Sequence, residues 1–292
     1  MNDKLFKIEA TLPGNPEPLI IYSAQKPQEE REKNIQLLER KLSQVFGING
    51  DIADLGDKLT KTERNKSLSL YSASDSFWYQ DNDLFASEDK KFSEALPDKR
   101  TAEEAALKFL RSNELLLPNA DLHSVSHTSV AVSNMDSTTT DEYNTEVHVN
   151  FRYTLDKLPV FGPGAKTRVS FVDAQNNSGV YHFWREVKAI KKKRKALAPE
   201  LALEIFSKNF RFSDLNDETA KVIIRDMQLG YYAMPPTDLQ NFLIPVYKVT
   251  GTVTTEVFPE YNFNHYIVAV KYSEADVKGM GVNIGRVKTL VF

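Results

Sequence analysis

The sequence predicts an α+β protein in which a helix followed by an antiparallel sheet occurs repeatedly along the chain. Three segments that space their apolar residues as helices do each come before a run of strand-like segments. Residues 143–187 alternate apolar and polar side chains over three successive segments, which is typical of strands that bury one face. We therefore expect each helix to cover one face of its own sheet and to leave the other face polar.

The three predicted helices begin at recognisable amino-terminal signals. Pro27 suits a first helical position because its φ is fixed and it lacks an N–H group, and Gly47 supplies a carboxy-terminal cap. Thr101 and Glu104 have the spacing of a capping box, in which each side chain satisfies an unpaired N–H group. Pro199 opens the third helix. The apolar stripe of the first helix consists of Ile35, Leu38, Leu42 and Val45.

Strand-like segments fill most of the remaining chain. Residues 66–80 are predicted to form a hairpin with its turn at 73–75. Polar residues 81–100 and 133–144 predict a linker and a loop. The other predicted strands lie at 122–133, within 143–187, and at about 221–233, 242–257 and 264–272.

This order of elements divides the chain into three predicted units. The first, 1–96, holds a helix and a hairpin. The second and third, 97–195 and 196–292, each hold a helix followed by strands and have the same plan.

The composition is that of an ordinary globular protein. Of 292 residues, 41% are apolar and 26% are charged, which is enough to bury a substantial core. The net charge of −3 provides no general attraction to nucleic acid or to an anionic membrane, and no apolar run is long enough to span a bilayer. The absence of cysteine excludes disulfides and thiol catalysis. The first residues contain no secretory hydrophobic segment, so we identify no export signal.

The segment 146–153 shows the alternation most clearly. Its apolar positions are Val147, Val149, Phe151 and Tyr153. Its polar positions are Glu146, His148, Asn150 and Arg152. Because successive side chains of a strand point to opposite faces, the first set is predicted to be buried and the second to face water or a partner.

The polar face is the predicted binding surface. If the three strands align suitably, it combines cations, imidazoles and an indole, and Arg and Trp are favoured where proteins bind one another. The candidate binding residues are His148, Arg152, Arg168, His182, Trp184 and Glu186, with Lys166 beside them. The alternative is a solvated sheet face with cross-strand ion pairs. On the binding hypothesis, Trp184→Ala weakens partner capture and leaves the fold intact.

A second hypothesis is an enzyme or a small-molecule carrier with a pocket between helix and sheet. His148 and His182 are then the acid–base candidates, and Arg152 or Arg168 orients an anion. The sequence contains no nucleophile elbow or glycine-rich phosphate loop. The histidine spacing predicts no metal site, and we expect no cofactor.

A basic run occupies 188–195, where six of eight residues are Lys or Arg. Such a run contacts nucleic acid or acidic lipid in some proteins. Here it lacks interleaved aromatic residues and lies between two predicted units, so a solvated linker or an exposed strand end is the favoured interpretation.

Two short patterns carry a family resemblance. The helix pattern uses Ala102, Ala106, Phe109 and Leu110, and the turn reads Leu-Pro-Val-Phe-Gly at 158–162. With the surrounding order of elements, this resembles PepSY-like repeat proteins of bacterial exported type and, more distantly, the propeptides of thermolysin-type proteases. The resemblance implies PepSY-like or cystatin-like units, a binding or inhibitory role toward a protease, and an exported or cell-surface location. It includes no catalytic signature.

The sequence therefore favours a non-enzymatic binding protein over an enzyme. Its partner is expected to be another protein, with a small-molecule ligand as the alternative, and neither nucleic acid nor a membrane span is expected. Docking is expected through the polar sheet face or through an edge strand, whose free N–H and C=O groups can accept a further strand.

Overall fold

The computed structural model describes residues 6–84, 95–133, 140–209, 220–255, 259–272, 279 and 290–291. Strands make up 49% of it and helices 19%. Within these ranges there are three helices, α1 (Gln28–Phe46), α2 (Lys99–Ser112) and α3 (Pro199–Asn209).

Sixteen strands are distributed along the described chain. The first six are β1 (Phe6–Ile8), β2 (Leu19–Ser23), β3 (Ile52–Asp54), β4 (Leu59–Glu63), β5 (Lys66–Tyr71) and β6 (Ser76–Asp81). The next six are β7 (Ala120–Ser133), β8 (Thr140–Leu155), β9 (Leu158–Phe161), β10 (Lys166–Phe171), β11 (Asn177–Phe183) and β12 (Lys188–Arg194). The last four are β13 (Lys221–Tyr232), β14 (Ile244–Thr254), β15 (Tyr261–Val268) and β16 (Leu290–Val291).

Fourteen of these strands form a single sheet. Its order is β16-β15-β14-β13-β9-β8-β10-β11-β6-β5-β4-β3, with β1 beside β13 and β7 beside β8. Antiparallel pairs dominate, but β13 pairs with β9 and with β1 in parallel, as does β15 with β16. Strands β12 and β2 form a separate two-stranded sheet.

The predicted fold class, repeated units of a helix and its own antiparallel sheet, is wrong. The molecule is mostly sheet, and one mixed sheet continues through the chain. The continuity arises at β8, whose last residues pair with β9, while β9 pairs in parallel with β13. The sheet thus has two halves that meet at β9: β3 to β8 with β10 and β11 form one, and β1 with β13 to β16 form the other. Backbone N–H and C=O groups at the edge of each half are satisfied through β9. Local residue patterns predict strands, but they do not reveal which distant strands pair.

The helices all cover the same face of the sheet. α1 and α2 share one core with β5, β6, β8, β10 and β11, and α3 packs on β13 to β15. The predicted burial of Val147, Val149, Phe151 and Tyr153 is confirmed, since each is 1% exposed or less. In the joining region, Tyr153 pairs with Val160, and Val160 with Tyr231, so this buried face is continuous between the two halves.

The two predicted helix caps have different outcomes. Gly47 ends α1 in the left-handed conformation, with φ of 61°, and its N–H group donates to the carbonyl of Ser43, as predicted. The predicted capping box at α2 is not formed. Asp98 is the cap instead, and its carboxylate accepts the backbone N–H of Thr101 at 2.9 Å, while Glu104 pairs with Arg100.

Other local predictions are partly covered by the described chain. The hairpin at 66–80 is confirmed as β5 and β6, with its turn between them. The linker at 81–100 and the loop at 133–144 fall in part on 85–94 and 134–139, which lie outside the described residues. The loop prediction is wrong at 140–144, because these residues begin β8 and pair with β7. No helix of the described chain is long and apolar enough to cross a membrane.

Candidate functional site

The face of the sheet opposite the helices, called the outer face below, carries a continuous cross-strand row of side chains. Ser69, Trp78, Tyr181, Arg168 and Asn150 lie side by side on β5, β6, β11, β10 and β8. No helix of the described chain packs on these strands from this side. The row is therefore held in place by the sheet itself, and all of its members except the buried Ser69 are half-exposed to a partner.

Aromatic and polar contacts organise this row. The rings of Trp78 and Tyr181 stack with centroids 5.1 Å apart, and the Arg168 guanidinium lies 6.0 Å from the Tyr181 ring. The Nε atom of Arg168 donates to Asn150 Oδ1 at 2.9 Å. This stacking covers one face of each ring.

Four cations lie on the outer face. Lys166 and Arg168 are two positions apart on β10, and Lys166 is directly opposite Arg152 on β8. Lys248 on β14 lies over the Phe161 ring at 5.5 Å. Among the described residues, none of the four forms an ion pair. We call Arg152, Lys166, Arg168 and Lys248 the basic cluster.

The cations of the basic cluster repel one another. Burial, and then the charge of Arg168, lowers the pKa of Lys166 below its ordinary value. Burial also lowers the pKa of Lys248, and the charge of Arg152 adds to this effect, while Asp226 opposes it. Like charges held together in partly dry surroundings destabilise the fold, so an approaching anion is favoured at this place.

Carboxylates occur at the margins of the outer face, where other groups engage them. Glu146 accepts a hydrogen bond from the hydroxyl of Ser178. Asp121, which lies opposite Arg152 in the β7–β8 pair, accepts one from Thr154 Oγ1 at 3.2 Å. Acidic groups are thus present nearby without neutralising the basic cluster.

The six predicted site residues do not share one face. His148, Arg152 and Arg168 lie on the outer face, but His182 and Trp184 lie on the side of the helices. The reason is register: Thr167 is opposite His182, so Arg168 faces Tyr181 instead. A shift of one residue moves every side chain of a strand to the other face, and strand register is not encoded in the alternation pattern.

His148 is buried rather than exposed, contrary to the prediction. It is 7% exposed, and its ring nitrogens hydrogen-bond Thr128 Oγ1 at 2.6 Å and Ser170 Oγ at 2.8 Å. Burial, with a contribution from the charge of Arg168, lowers the pKa of His148 to about 4. The ring is therefore neutral at pH 7 and ties three strands together.

His182 is also buried, on the other side of the sheet. It stacks on Phe77 with ring centroids 5.2 Å apart, and its Nδ1 atom hydrogen-bonds Thr167 Oγ1 at 2.9 Å. Burial, and then the charge of Lys41, lowers the pKa of His182 to about 4. Since the sheet separates His148 from His182, the two cannot act on one substrate as an acid–base pair.

Trp184 and Glu186 follow β11 toward the helix side. Trp184 is 8% exposed and stacks on Tyr153 with ring centroids 4.2 Å apart, so it belongs to the core. Glu186 has an exposed side chain that pairs with Lys26 at 3.0 Å, and this pairing lowers the pKa of the carboxyl. Lys26 also contacts Asp75 at 2.8 Å.

An open groove lies beneath α1 and brings three predicted residues together. Its volume is about 330 Å³. Its lining includes His182, Trp184 and Glu186 together with Lys26, Asn34, Leu37, Leu38, Lys41 and Asp75. The volume is within the range of small-molecule sites, and the lining combines apolar and charged groups.

One long strand edge is also open. β7 pairs with β8 on one side only, and in the described chain no strand follows it on the other side. Two bulges, after Leu122 and after Thr128, interrupt its ladder with β8. Such bulges twist an edge strand so that a further strand pairs with it less readily. We therefore regard the outer face as a better candidate for a docking surface than the edge of β7.

Sequence reasoning missed three members of this site. Trp78 lies in the predicted hairpin, where the alternation of 76–81 indicates that it shares a face with Gln80. Tyr181 was not considered, because His182 was assigned to the polar face in its place, and Lys248 lies in a different predicted unit. No local signal brings Lys248 to Arg152, because only the pairing of β9 with β13 does so. In the described ranges, no group of three or more acidic or histidine side chains is placed to hold a metal ion.

Comparison with known proteins adds no functional information. No protein-family model matches the chain, and no curated protein matches it. Among solved structures, it is similar to an uncharacterized protein from Eubacterium rectale ATCC 33656. That match has a TM-score of 0.44 and 12% identity, and covers 93% of this chain and 90% of the other.

Proposed function

We propose that this is a non-enzymatic binding protein that docks an acidic region of a partner protein on its outer face. The observation that carries the proposal is the basic cluster, four cations on one face that form no ion pair among the described residues, with Arg168 acting against the charge of Lys166 and Arg152 against that of Lys248. A carboxylate-bearing partner would relieve this repulsion, which makes charge complementarity the basis of recognition.

The surroundings of the cluster favour a protein over a nucleic acid or a sugar polymer. Single-stranded nucleic acids bind through bases that stack on open aromatic faces. Trp78 and Tyr181 each have one face against the other ring, which leaves less aromatic face for a base. The two half-buried rings, with the amide of Asn150 in the same row, instead suit the mixed polar and aromatic contacts of protein interfaces.

A charge-reversal experiment tests this proposal. Arg152→Glu combined with Arg168→Glu removes two cations from the outer face and introduces two repelling carboxylates. We expect poly-L-glutamate, used as the acidic probe, to bind at least about tenfold more weakly to this double variant. Binding is measured by calorimetry, and the wild-type affinity is expected to fall as salt is added.

A matched control changes the net charge equally at another place. Lys33→Glu with Lys108→Glu alters two exposed lysines of α1 and α2 and is expected to retain nearly the wild-type affinity. Equal losses in both double variants would reduce the effect to net charge and refute the proposal. Tighter binding of an oligothymidylate of equal charge would refute a protein partner.

A second candidate function is small-molecule binding in the groove beneath α1, favoured by its volume and its lining. Leu37 lines this groove and is 54% exposed, while Leu55 lies outside the groove lining and is 58% exposed. With anilinonaphthalene sulfonate as the probe, Leu37→Glu is expected to weaken binding about tenfold by placing a carboxylate in the groove. Leu55→Glu is the control, and equal binding by both variants would reject this candidate.

A further inference from the structure

A second groove lies at the end of β12, which belongs to the two-stranded sheet and not to the sheet that carries the outer face row. Its volume is about 670 Å³. Its basic lining residues are Lys192, Lys193, Arg194, Lys195 and Lys271. Its apolar lining residues are Ala196, Leu197, Ala198 and Leu201. The described lining contains no carboxylate. We call its five basic residues the wall of the groove and its four apolar residues the floor.

The tertiary structure gathers this charge in a way that a regular strand would not. In a regular strand, successive side chains point to opposite faces, which would divide the basic run between two sides. In β12, Ile190 pairs with Ile21, and the next paired residue, Lys193, is opposite Ile20. The two extra residues form a bulge, and β12 ends at Arg194. Lys193 and Arg194 are paired regularly with Ile20 and Leu19 beyond this bulge, and the four consecutive cations 192–195 line the same groove where the strand ends.

The floor and one wall of the groove are anchored. Leu197 donates its N–H group to the carbonyl of Ala269 at 2.7 Å, and its own carbonyl accepts the Tyr247 hydroxyl at 2.7 Å. The Arg194 guanidinium donates to the carbonyl of Lys271 at 3.1 Å and lies 5.0 Å from the Tyr272 ring. A site built on fixed backbone loses little entropy when a ligand binds.

The lining indicates the chemistry of the ligand. Cationic side chains in the wall attract a phosphate or carboxylate group. Leu201 is 39% exposed and, with Leu197, offers the floor to an apolar body. Stacking of nucleic-acid bases finds no support in this lining, since its described residues include no aromatic side chain.

We propose that this groove binds an anionic amphiphile, a molecule with a phosphate or carboxylate head and an apolar body. The head lies against Lys193 and Lys195, and the body lies on Leu197 and Leu201. This site shares no residue with the outer face, so the inference does not depend on the proposed function.

The probe is dihexanoyl phosphatidylglycerol, a short-chain lipid that is used as monomers and followed by calorimetry. Lys193→Gln with Lys195→Gln is expected to weaken binding roughly thirtyfold, since two charges beside the head are lost. Leu201→Ser is expected to weaken it several-fold through the apolar body. The matched control is Lys188→Gln with Lys191→Gln, which removes two charges from the same strand outside the groove lining. It is expected to bind within twofold of the wild type.

Three further measurements decide the assignment. Inorganic phosphate is expected to bind at least about tenfold more weakly than the lipid, and equal binding would show that the apolar floor is unused and overturn the proposal. Equal weakening in the groove variant and in the control would also overturn it. Vesicles of phosphatidylcholine and phosphatidylglycerol distinguish the source: binding to vesicles without binding to monomers would mean surface attraction and overturn the groove. If the protein binds both vesicles and monomers, the proposal is supported and the ligand is a lipid of a bilayer. If it binds monomers alone, the proposal is supported and the ligand is a free molecule.

Discussion

Replacement of Trp184 by alanine is expected to lower the free energy of unfolding by about 3–5 kcal/mol, the usual loss for a large buried aromatic side chain. Trp184 stacks on Tyr153 and packs in one cluster with Val160 and Tyr231. That cluster lies where β9 joins the two halves of the sheet, so the cavity left by the indole weakens the junction itself.

Urea unfolding of the two tryptophan variants provides the measurement. Trp78→Ala is the matched control because it removes the same side chain from the half-buried outer face, and we expect it to cost about 1–2 kcal/mol. A loss at Trp184 no larger than that at Trp78 would contradict the placement of Trp184 in the core. The expected result also replaces the interpretation of Trp184 as a docking residue whose removal leaves the fold intact.

Replacement of Arg185 by leucine is expected to cost about 3 kcal/mol of stability, through a different mechanism. Arg185 is 3% exposed, and its guanidinium donates to the carbonyls of Met234 and Pro235, each at 2.6 Å, and to that of Asp238. Burial lowers its pKa to about 10, so it is still charged at pH 7. Leucine would remove the side-chain donor from the carbonyls of Met234 and Asp238, while that of Pro235 would keep the backbone N–H of Asp238 at 3.0 Å.

The close packing around Arg185 makes relaxation difficult. A Cβ atom at Gly164 would lie 2.7 Å from the guanidinium and 1.9 Å from the carbonyl oxygen of Met234. Arg185→Lys is expected to recover only part of the stability, because an ammonium group cannot reproduce the planar fork. Arg111→Leu, an exposed site on α2, is the control and should change stability by less than about 0.5 kcal/mol. Urea unfolding of Arg185→Leu within that same margin would disprove the role of the guanidinium.

The candidate site was predictable only where it rests on alternation within one strand. Arg152 and His148 were placed on one face of β8 correctly, and Arg168 and Lys166 on the matching face of β10. The error came with β11, where the choice between Tyr181 and His182 depends on the register with β10. Register is set by how two strands fit at a distance, and the alternation of each strand is compatible with either choice.

The burial of His148 on the outer face was a second feature that the alternation of apolar and polar residues could not predict. His148 is polar and was predicted to face water, yet Thr128 and Ser170 on the neighbouring strands provide both of its hydrogen bonds. A polar side chain can be buried without penalty once its partners are present. Those partners come from β7 and β10, so the burial of His148 depends on the assembled sheet.

From sequence alone, the positions of α1 and α3, the hairpin of β5 and β6, and the buried side of β8 were determined, because periodicity and capping act between residues a few positions apart. The single sheet, the approach of Lys248 to Arg152, the burial of Trp184 and the collection of four cations in one groove were decided by tertiary structure. Each depends on which strands pair and in what register, and those pairings are stabilised by contacts between residues remote in the chain.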